Sequence, residues 1–546
     1  MESIYERALL EVGPNSLFQK KWDIIYNVIF AGLWCTSYMS IFLALVIPPH
    51  TCKLPEQTEN ISDNLWRSKY IPMSNDLNGQ ALLNSCMVYE NPEQNNKTKE
   101  CVEFVYDKTW YESTVPSENN WVCSKELYVV NIFAYSMIGE IIGSLLFGWF
   151  GDTYGRRLTY IIALALIVVG RTVSILAAQS YVLFTCGCII ASFPSWSAVQ
   201  SVSVISVEIS SPERRTTTAT LRVAAMSFGV CVMSLLYWWI REWKLFFVIT
   251  TVPLIPYLLF SWNTIESPRW LWQTGKSEEC IRNLRQIAKI NKSELETNTA
   301  EELSNTNIER NDKMPGPVAL FSSRTLAVST ILQLLLWVFV TLSYRVLLIS
   351  AGEKTDGNPF LEFALQAAVE MPGNVVGAWL ADILGRRYSG MIVYGITASM
   401  WTMLSFHDHY KSAWIGNIWI GAVSRTICRM STTSSYYLIN LLNMELYPTC
   451  LRQLGMSIGN VSSSGASAIA PYVLYMGHRV DSRLPGLVLA AVSVIGILSS
   501  YILPETLNMK LPETVKDAQE FGNKRVKYSR DSLKYSAATE EIENLN

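Results

Sequence analysis

Gly148-Trp149-Phe150-Gly151-Asp152-Thr153-Tyr154-Gly155-Arg156-Arg157 closes one long apolar run, and Gly377-Ala378-Trp379-Leu380-Ala381-Asp382-Ile383-Leu384-Gly385-Arg386-Arg387 closes another. The two aspartates lie 230 residues apart (382 minus 152). Glu208, Pro212 and Arg215 recur as Glu445, Pro448 and Arg452 at an offset of 237 (445 minus 208), with a Glu-to-Arg spacing of seven in both. Glu266-Ser267 recurs as Glu505-Thr506 at 239 (505 minus 266). Three matched pairs at nearly one offset imply an internal duplication of a unit about half the chain long.

Counting outward from these anchors gives the size of the unit. About 20 mainly apolar residues cross a bilayer as a helix, because hydrocarbon offers no partner to an open backbone group. Twelve such runs are expected: 23–47, 128–150, 158–178, 181–204, 218–240, 244–263, 324–349, 359–381, 389–406, 412–440, 454–476 and 485–503. Six fall in each half, the parallel repeat of a facilitator-type transporter. Composition agrees, since 50% of the 546 residues are hydrophobic and 16% charged, too apolar for an ordinary soluble enzyme of this length. The expected class is an all-α membrane protein of twelve transmembrane helices in two pseudo-repeated six-helix bundles. The first run lacks a small-residue cleavage site and reads as a retained helix. The expected division is an amino terminus 1–22, a first bundle 23–263, a central loop 264–323, a second bundle 324–503 and a tail 504–546.

Arg156 and Arg157, Arg214 and Arg215, Arg386 and Arg387, and Arg452 fall in alternate short connections, on the side of both termini and the central loop. By the bias of Lys and Arg toward the inner face, that side is expected to be cytoplasmic. The opposite side carries a segment, 48–127, with Cys52, Cys86, Cys101 and Cys123 and acceptor sequons at Asn60 and Asn96. It reads as a glycosylated, disulfide-bonded outer domain whose pairing the spacing leaves open among three possibilities. Sequons at Asn291 and Asn460 are expected to be unused, and the other cysteines to be small buried apolar residues. The duplicated Asp152, Arg156, Arg157, Glu208, Arg215, Asp382, Arg386, Arg387, Glu445 and Arg452, with Arg429 nearby, read as an inner latch, pairing across bundles in one access state and separating in the other.

Further segments resemble one family, the organic cation, anion and zwitterion (carnitine-type) transporters of the major facilitator superfamily. They are Gly13 through Gln19, Pro49-His50-Thr51-Cys52, Glu103-Phe104-Val105-Tyr106-Asp107, Trp121-Val122-Cys123, Glu266-Ser267-Pro268-Arg269-Trp270-Leu271, Glu370-Met371-Pro372, Glu445-Leu446-Tyr447-Pro448-Thr449, Leu503-Pro504-Glu505-Thr506 and Leu511-Pro512-Glu513-Thr514. The resemblance implies alternating access around a central site and transport of small organic ions across the plasma membrane. Two positions depart from it: Cys188 stands where many members have arginine, and Ser464 where cation carriers usually have Asp and anion or zwitterion carriers Arg.

Ionisable groups within spans mark candidate cavity residues. Glu370 lies mid-span in the eighth run and matches a family position, so it reads as attracting a cation. Arg345 follows Tyr344 near the outer end of the seventh, where it could either face the substrate path or snorkel to water. Trp337, Tyr344, Tyr436 and Tyr437 offer aromatic faces on the runs with which the family lines its cavity. Arg425 and Arg429, one turn apart, are expected to pair with Glu370 or Glu445, and Glu140 and Arg171 to be structural pairs. Because Glu370 is deeper than Arg345, the expected substrate is an organic cation or carnitine-like zwitterion. An organic anion carrier, a sugar-porter-like facilitator and a transport-inactive receptor or scaffold are the alternatives.

Other chemistry finds little footing. Gly275-Lys276-Ser277 ends like a phosphate loop, but Trp270 stands where the first glycine belongs. His407 and His409 flank Asp408 without further clustered ligands, so no metal site is expected. No nucleophile, base and orienter set is visible, and neither enzymatic activity nor a cofactor is expected. A net charge of −2 without a basic face gives no ground for a nucleic-acid partner; the expected partners are the bilayer and a small organic ion. In the central loop a helix is expected over 277–290, with 291–313 polar and mobile, and the tail beyond 520 reads as disordered.

Overall fold

In the computed structural model the described residues are 4–55, 63–75, 81–91, 97–194, 196–305, 320–351, 358–409, 417–447 and 449–507. The described residues of the twelve expected spans are mainly helical, and eight helices among the described residues are long and apolar enough to cross a membrane. In the first half the helices run over Leu17–Ala44, Leu127–Tyr154, Arg156–Leu176, Tyr181–Glu208, Pro212–Ile240 and Trp243–Asn263. The fourth is broken between Tyr181–Ser192 and Ser197–Glu208, and Asp23–Phe30 of the first is π-helical. In the second half they run over Arg324–Ser350, Pro359–Ala368 with Glu370–Leu384, Arg386–His409, Ile418–Leu446, Thr449–Arg479 and Leu484–Ile502.

Two expectations change. The eighth span is two half-helices meeting at Val369, so Glu370 opens the second half-helix instead of sitting mid-rod. The polar stretch after 291 contains a helix, Thr297–Asn305, held by amino-terminal residues: Thr299 Oγ1 donates to Glu11 at 2.6 Å and Arg7 pairs with Glu302 at 3.2 Å. Asn291, at the end of the Ser277–Asn291 helix, donates to the carbonyls of Val12 and Gly13.

The segment after the first helix is stapled by Cys52–Cys101 and Cys86–Cys123 and carries three two-stranded antiparallel sheets, one of which pairs His50–Cys52 with Phe104–Tyr106. Arg241, beyond the fifth helix, donates to the carbonyls of Thr109 and Trp110, which ties this segment to the first half. His50 lies beside Cys86 and Cys123, but both sulfurs are used in the disulfide, which leaves no thiolate to hold a metal there. Asn60 and Asn96 lie outside the described residues.

The two halves meet at the disulfide end. The fifth helix packs on the first half of the eighth, with Ser234 Oγ donating to the Phe360 carbonyl at 2.5 Å, Cys231 Sγ to that of Ala364 at 3.4 Å, and Phe360 edge-on to Tyr111 and Tyr237. The second helix packs on the eleventh, where Tyr472 donates to Asn131 at 2.9 Å and Arg479 pairs with Glu126 at 3.3 Å.

Candidate functional site

At the other end the sequence repeat is a repeated hydrogen-bond network, built independently in each half. Gly155 (φ +106°) and Gly385 (φ +82°) turn the chain from the second helix into the third and from the eighth into the ninth. A Cβ there would lie 2.3 and 2.5 Å from carboxylate oxygens of Glu266 and Glu505, so glycine is required twice over. Those carboxylates cap the new helix: Glu266 accepts from the N–H groups of Arg156 and Arg157, Glu505 from those of Arg386 and Arg387. An acid beside unpaired N-terminal donors is the favourable sign for the helix dipole. Burial nevertheless pushes the Glu266 carboxyl up, against the downward pull of the Ser267, Arg157 and Arg156 N–H groups.

The arginines complete the circuit. Arg156 reaches Asp152 at 3.1 Å and Glu208 at 3.9 Å; Arg386 reaches Asp382 at 3.9 Å and Glu445 at 2.7 Å. Ser267 donates to Glu208 and Thr506 to Glu445. The Asp152 and Asp382 side chains are 79% and 77% exposed, and among the described residues no ion pair crosses between the halves at this end. The side chains of Arg215 and Arg452 lie outside the described residues. Sequence reasoning missed Asp23, which is buried in the first helix and accepts from Arg214, Ser206, Asn27 and Thr218, tying the first, fourth and fifth helices together.

Midway between the ends, two charged groups lie where the halves meet. In one, Glu370 Oε1 accepts from Arg429 Nη2, from Arg429 Nε at 3.1 Å and from the Tyr344 hydroxyl at 3.0 Å. The Arg429 guanidinium is 3.7 Å from the Tyr344 ring centre, and its Nη1 donates to the Tyr344 carbonyl. Ser227 of the fifth helix reaches Glu370 Oε2 at 3.3 Å, so this carboxylate touches both halves. In the other group, Arg345 is 7% exposed: it donates from Nε to Ser467 at 3.1 Å and from Nη2 to the Tyr38 hydroxyl at 3.2 Å. Tyr38 donates in turn to Glu140 at 2.8 Å. Arg345 therefore does not reach outward to water; Tyr38, on a helix 307 residues earlier in sequence, holds it in.

Aromatic rings surround both groups. Tyr436 stands edge-on to Tyr344 and Trp337, and its hydroxyl meets Thr341 at 2.8 Å, which also meets Ser463 at 2.6 Å. On the first half, Tyr38 stacks on Trp34, and both pack on Trp196. Tyr437, one residue or about 100° further around the helix, falls instead within the electrostatic reach of Asp382, Arg386 and Glu445. Ser464 is buried, but its neighbours Ser463 and Ser467 make the contacts. Of the expected pairings, Arg429 with Glu370 is present, whereas Arg425 pairs with Glu362 of the first eighth half-helix. Glu140 and Arg171 are not paired with each other: Arg171 donates to the carbonyls of Ser37 and Tyr38. Trp34 and Tyr38, at helical spacing on the first span, were the sequence signal for the missed aromatic face.

Residues 79–517 match the model of the sugar (and other) transporter family. Two relatives from Drosophila melanogaster are each 27% identical to the chain: "Organic cation transporter protein", covering 95% of this chain and 95% of that protein, and "Beta-alanine transporter", covering 94% and 89%. The inward open conformation of the xylose transporter XylE from E. coli has the same fold at 15% identity, with a TM-score of 0.59 over 90% of this chain and 98% of that one.

Proposed function

From the premise that this chain belongs to the sugar (and other) transporter family, we propose that it carries small organic ions across the plasma membrane by alternating access. The observation that carries this reading is the asymmetry of contact between the halves. They are joined at the disulfide end and around Glu370 and Arg345, while the networks at the arginine end close within each half. This is one state of a cycle, open on the arginine side, in which the Trp337, Tyr344 and Tyr436 faces and the two charged groups meet the substrate. The Drosophila relatives, named for an organic cation and for β-alanine, favour organic ions over sugars as cargo. Uptake of labelled organic cations, zwitterions and organic anions into expressing cells tests the reading. Accumulation of at least one class above that of vector controls is expected, and none with verified surface protein would leave a receptor.

Both termini and the duplicated arginines lie on the cytoplasmic side in this reading, and Asn60 and Asn96 carry glycan. Glycosidase treatment is expected to lower the apparent mass, and Asn60→Gln with Asn96→Gln to remove that shift. Glycan on Asn291 would invert the orientation.

Asp152 and Asp382, held by Arg156 and Arg386 of their own halves but exposed at the open mouth, exchange these partners for ones across it when that side closes. Asp152→Asn and Asp382→Asn are each expected to lower uptake per surface molecule several-fold with little change in surface amount. Unchanged uptake per molecule would remove the latch from the mechanism.

A further inference from the structure

Leaving aside Asp23, Lys244 and Arg324, which open their spans, eight charged side chains lie within the twelve expected spans: Glu140, Glu362, Glu370, Arg171, Arg222, Arg345, Arg425 and Arg429. Glu370 neutralises Arg429 and Glu362 neutralises Arg425. That leaves one carboxylate, Glu140, against three guanidinium groups. Arg222 has no charged partner among the described residues. Arg171 rests on the Ser37 and Tyr38 carbonyls and over the Phe247 ring, so its positive charge stands behind the residue whose hydroxyl meets Arg345. A low-dielectric site with surplus positive charge favours an anionic ligand group.

The geometry at Arg345 gives that surplus a place. Glu140 does not touch the guanidinium; the Tyr38 hydroxyl stands between them, so Arg345 Nη2 is satisfied only by a neutral oxygen. Arg345 Nε is taken by Ser467. Arg345 Nη1 is buried and has no acceptor among the described residues. A guanidinium offers parallel N–H groups that match the two oxygens of a carboxylate, and such a fork is stronger than bonds to hydroxyls. A buried donor without an acceptor is costly, and an incoming carboxylate would remove that cost.

We infer that Arg345 is the seat of an oxyanion on the transported ion, so that the substrates are organic ions bearing a carboxylate, zwitterions among them, and not simple cations. The inference rests on the transport reading above and names its substrate class. Binding takes Arg345 Nη1 together with Nη2, displacing Tyr38 from the latter. Because Tyr38 and Glu140 belong to the first half and Arg345 to the second, the same exchange breaks one contact between the halves. Glu370, already paired with Arg429, does not set the sign of the charge selected; Tyr344, Tyr436 and Trp337 offer flat faces to the rest of the ion.

The test is uptake of matched labelled pairs, β-alanine, a trimethylammonium betaine and an aromatic carboxylate, each beside its methyl ester, by the full chain in cells and normalised to surface protein. The wild type is expected to prefer free acid over ester for at least one pair. Arg345→Gln should reduce that preference by about 10- to 100-fold, the value of a charge-assisted fork. Arg345→Lys, a point charge without the fork, should fall between. Tyr38→Phe removes the competitor for Nη2 and should lower KM for the acid, a change that a merely structural Tyr38 would not give. If Arg345→Gln fails to reach the surface, the melting temperature of purified wild-type protein serves instead, raised by the acid and not by its ester. Equal uptake or equal stabilisation by acid and ester overturns the inference. So does an unchanged preference in Arg345→Gln. Uptake of simple cations alone sinks this inference and leaves the transport reading standing; no uptake and no stabilisation by any compound sinks both.

Discussion

Arg429→Gln is expected to reduce uptake to background and to deplete the protein from the cell surface, and adding Glu370→Gln to it is expected to return most of the surface protein. Arg429 is 1% exposed, and its guanidinium bonds the Glu370 carboxylate through Nε and Nη2 while covering the Tyr344 ring. Removing one partner of such a pair leaves a buried charge uncompensated, at a cost of about 3–5 kcal/mol. That is a large share of the roughly 5–15 kcal/mol by which a folded protein exceeds its unfolded state. Removing both charges takes away the penalty together with the attraction, so the double variant is expected to be better folded than either single one. Glu370 also receives Ser227 from the other half, so uptake by the double variant is expected to stay below wild type even with surface protein restored. Surface biotinylation and uptake on the four proteins of the cycle decide the matter. Wild-type surface level and uptake in Arg429→Gln would show that the pair is not the centre of the molecule. Arg425→Gln is the internal comparison: its pair with Glu362 is less buried, at 15% and 13% exposure, so a smaller loss is expected.

The duplication carried most of the fold into view because its signals are local. Gly155 and Gly385 announce turns that no other residue makes easily, and Glu266 and Glu505, 111 and 120 residues further on (266 minus 155 and 505 minus 385), recur because they cap the same helix starts. The four outer cysteines were legible for the same reason, although their pairing depends on how 48–127 folds back on itself. The centre of the molecule was less legible, since it is made by residues far apart in sequence. Whether Arg345 snorkels or turns inward depends on Tyr38, which accepts from Arg345 Nη2 and lies on the other bundle. Tyr436 and Tyr437 have the same chemistry in the sequence, yet one residue of helix rotation puts the first against Tyr344 and the second toward the arginine end. Ser463, Ser464 and Ser467 differ in the same way, and a rule keyed to position 464 alone passed over the two serines that bond. Arg425 pairs instead with Glu362, on the half-helix before the break at Val369, and a break before Met371-Pro372 is only weakly marked in sequence.

Ser234→Trp is expected to lower uptake more than tenfold while the protein still reaches the surface, because it holds the disulfide end apart. Ser234 is fully buried where the fifth helix crosses the eighth, and its hydroxyl reaches the Phe360 carbonyl. Phe360 is itself packed edge-on between Tyr111 and Tyr237, so there is no room for an indole. Overpacking a single domain core by that much costs about 1–3 kcal/mol or more in strain. Here the two halves can instead separate along an interface that alternating access must open anyway, so the strain selects the state open on the disulfide side rather than unfolding the chain. Thiol labelling reads the difference. Cys35 is 2% exposed on the first helix, within electrostatic reach of Glu370, and is shut away when the disulfide end is closed. In a Cys186→Ala, Cys231→Ala background, which removes the exposed thiol among the described residues and the half-buried one at this interface, a membrane-impermeant maleimide applied outside the cell should label Cys35 in Ser234→Trp and not in the parent. Labelling without loss of uptake would mean that opening this end is not limiting. Loss of uptake without labelling would mean that the tryptophan damages the fold, and the disulfide end would then lose its role as the outer gate.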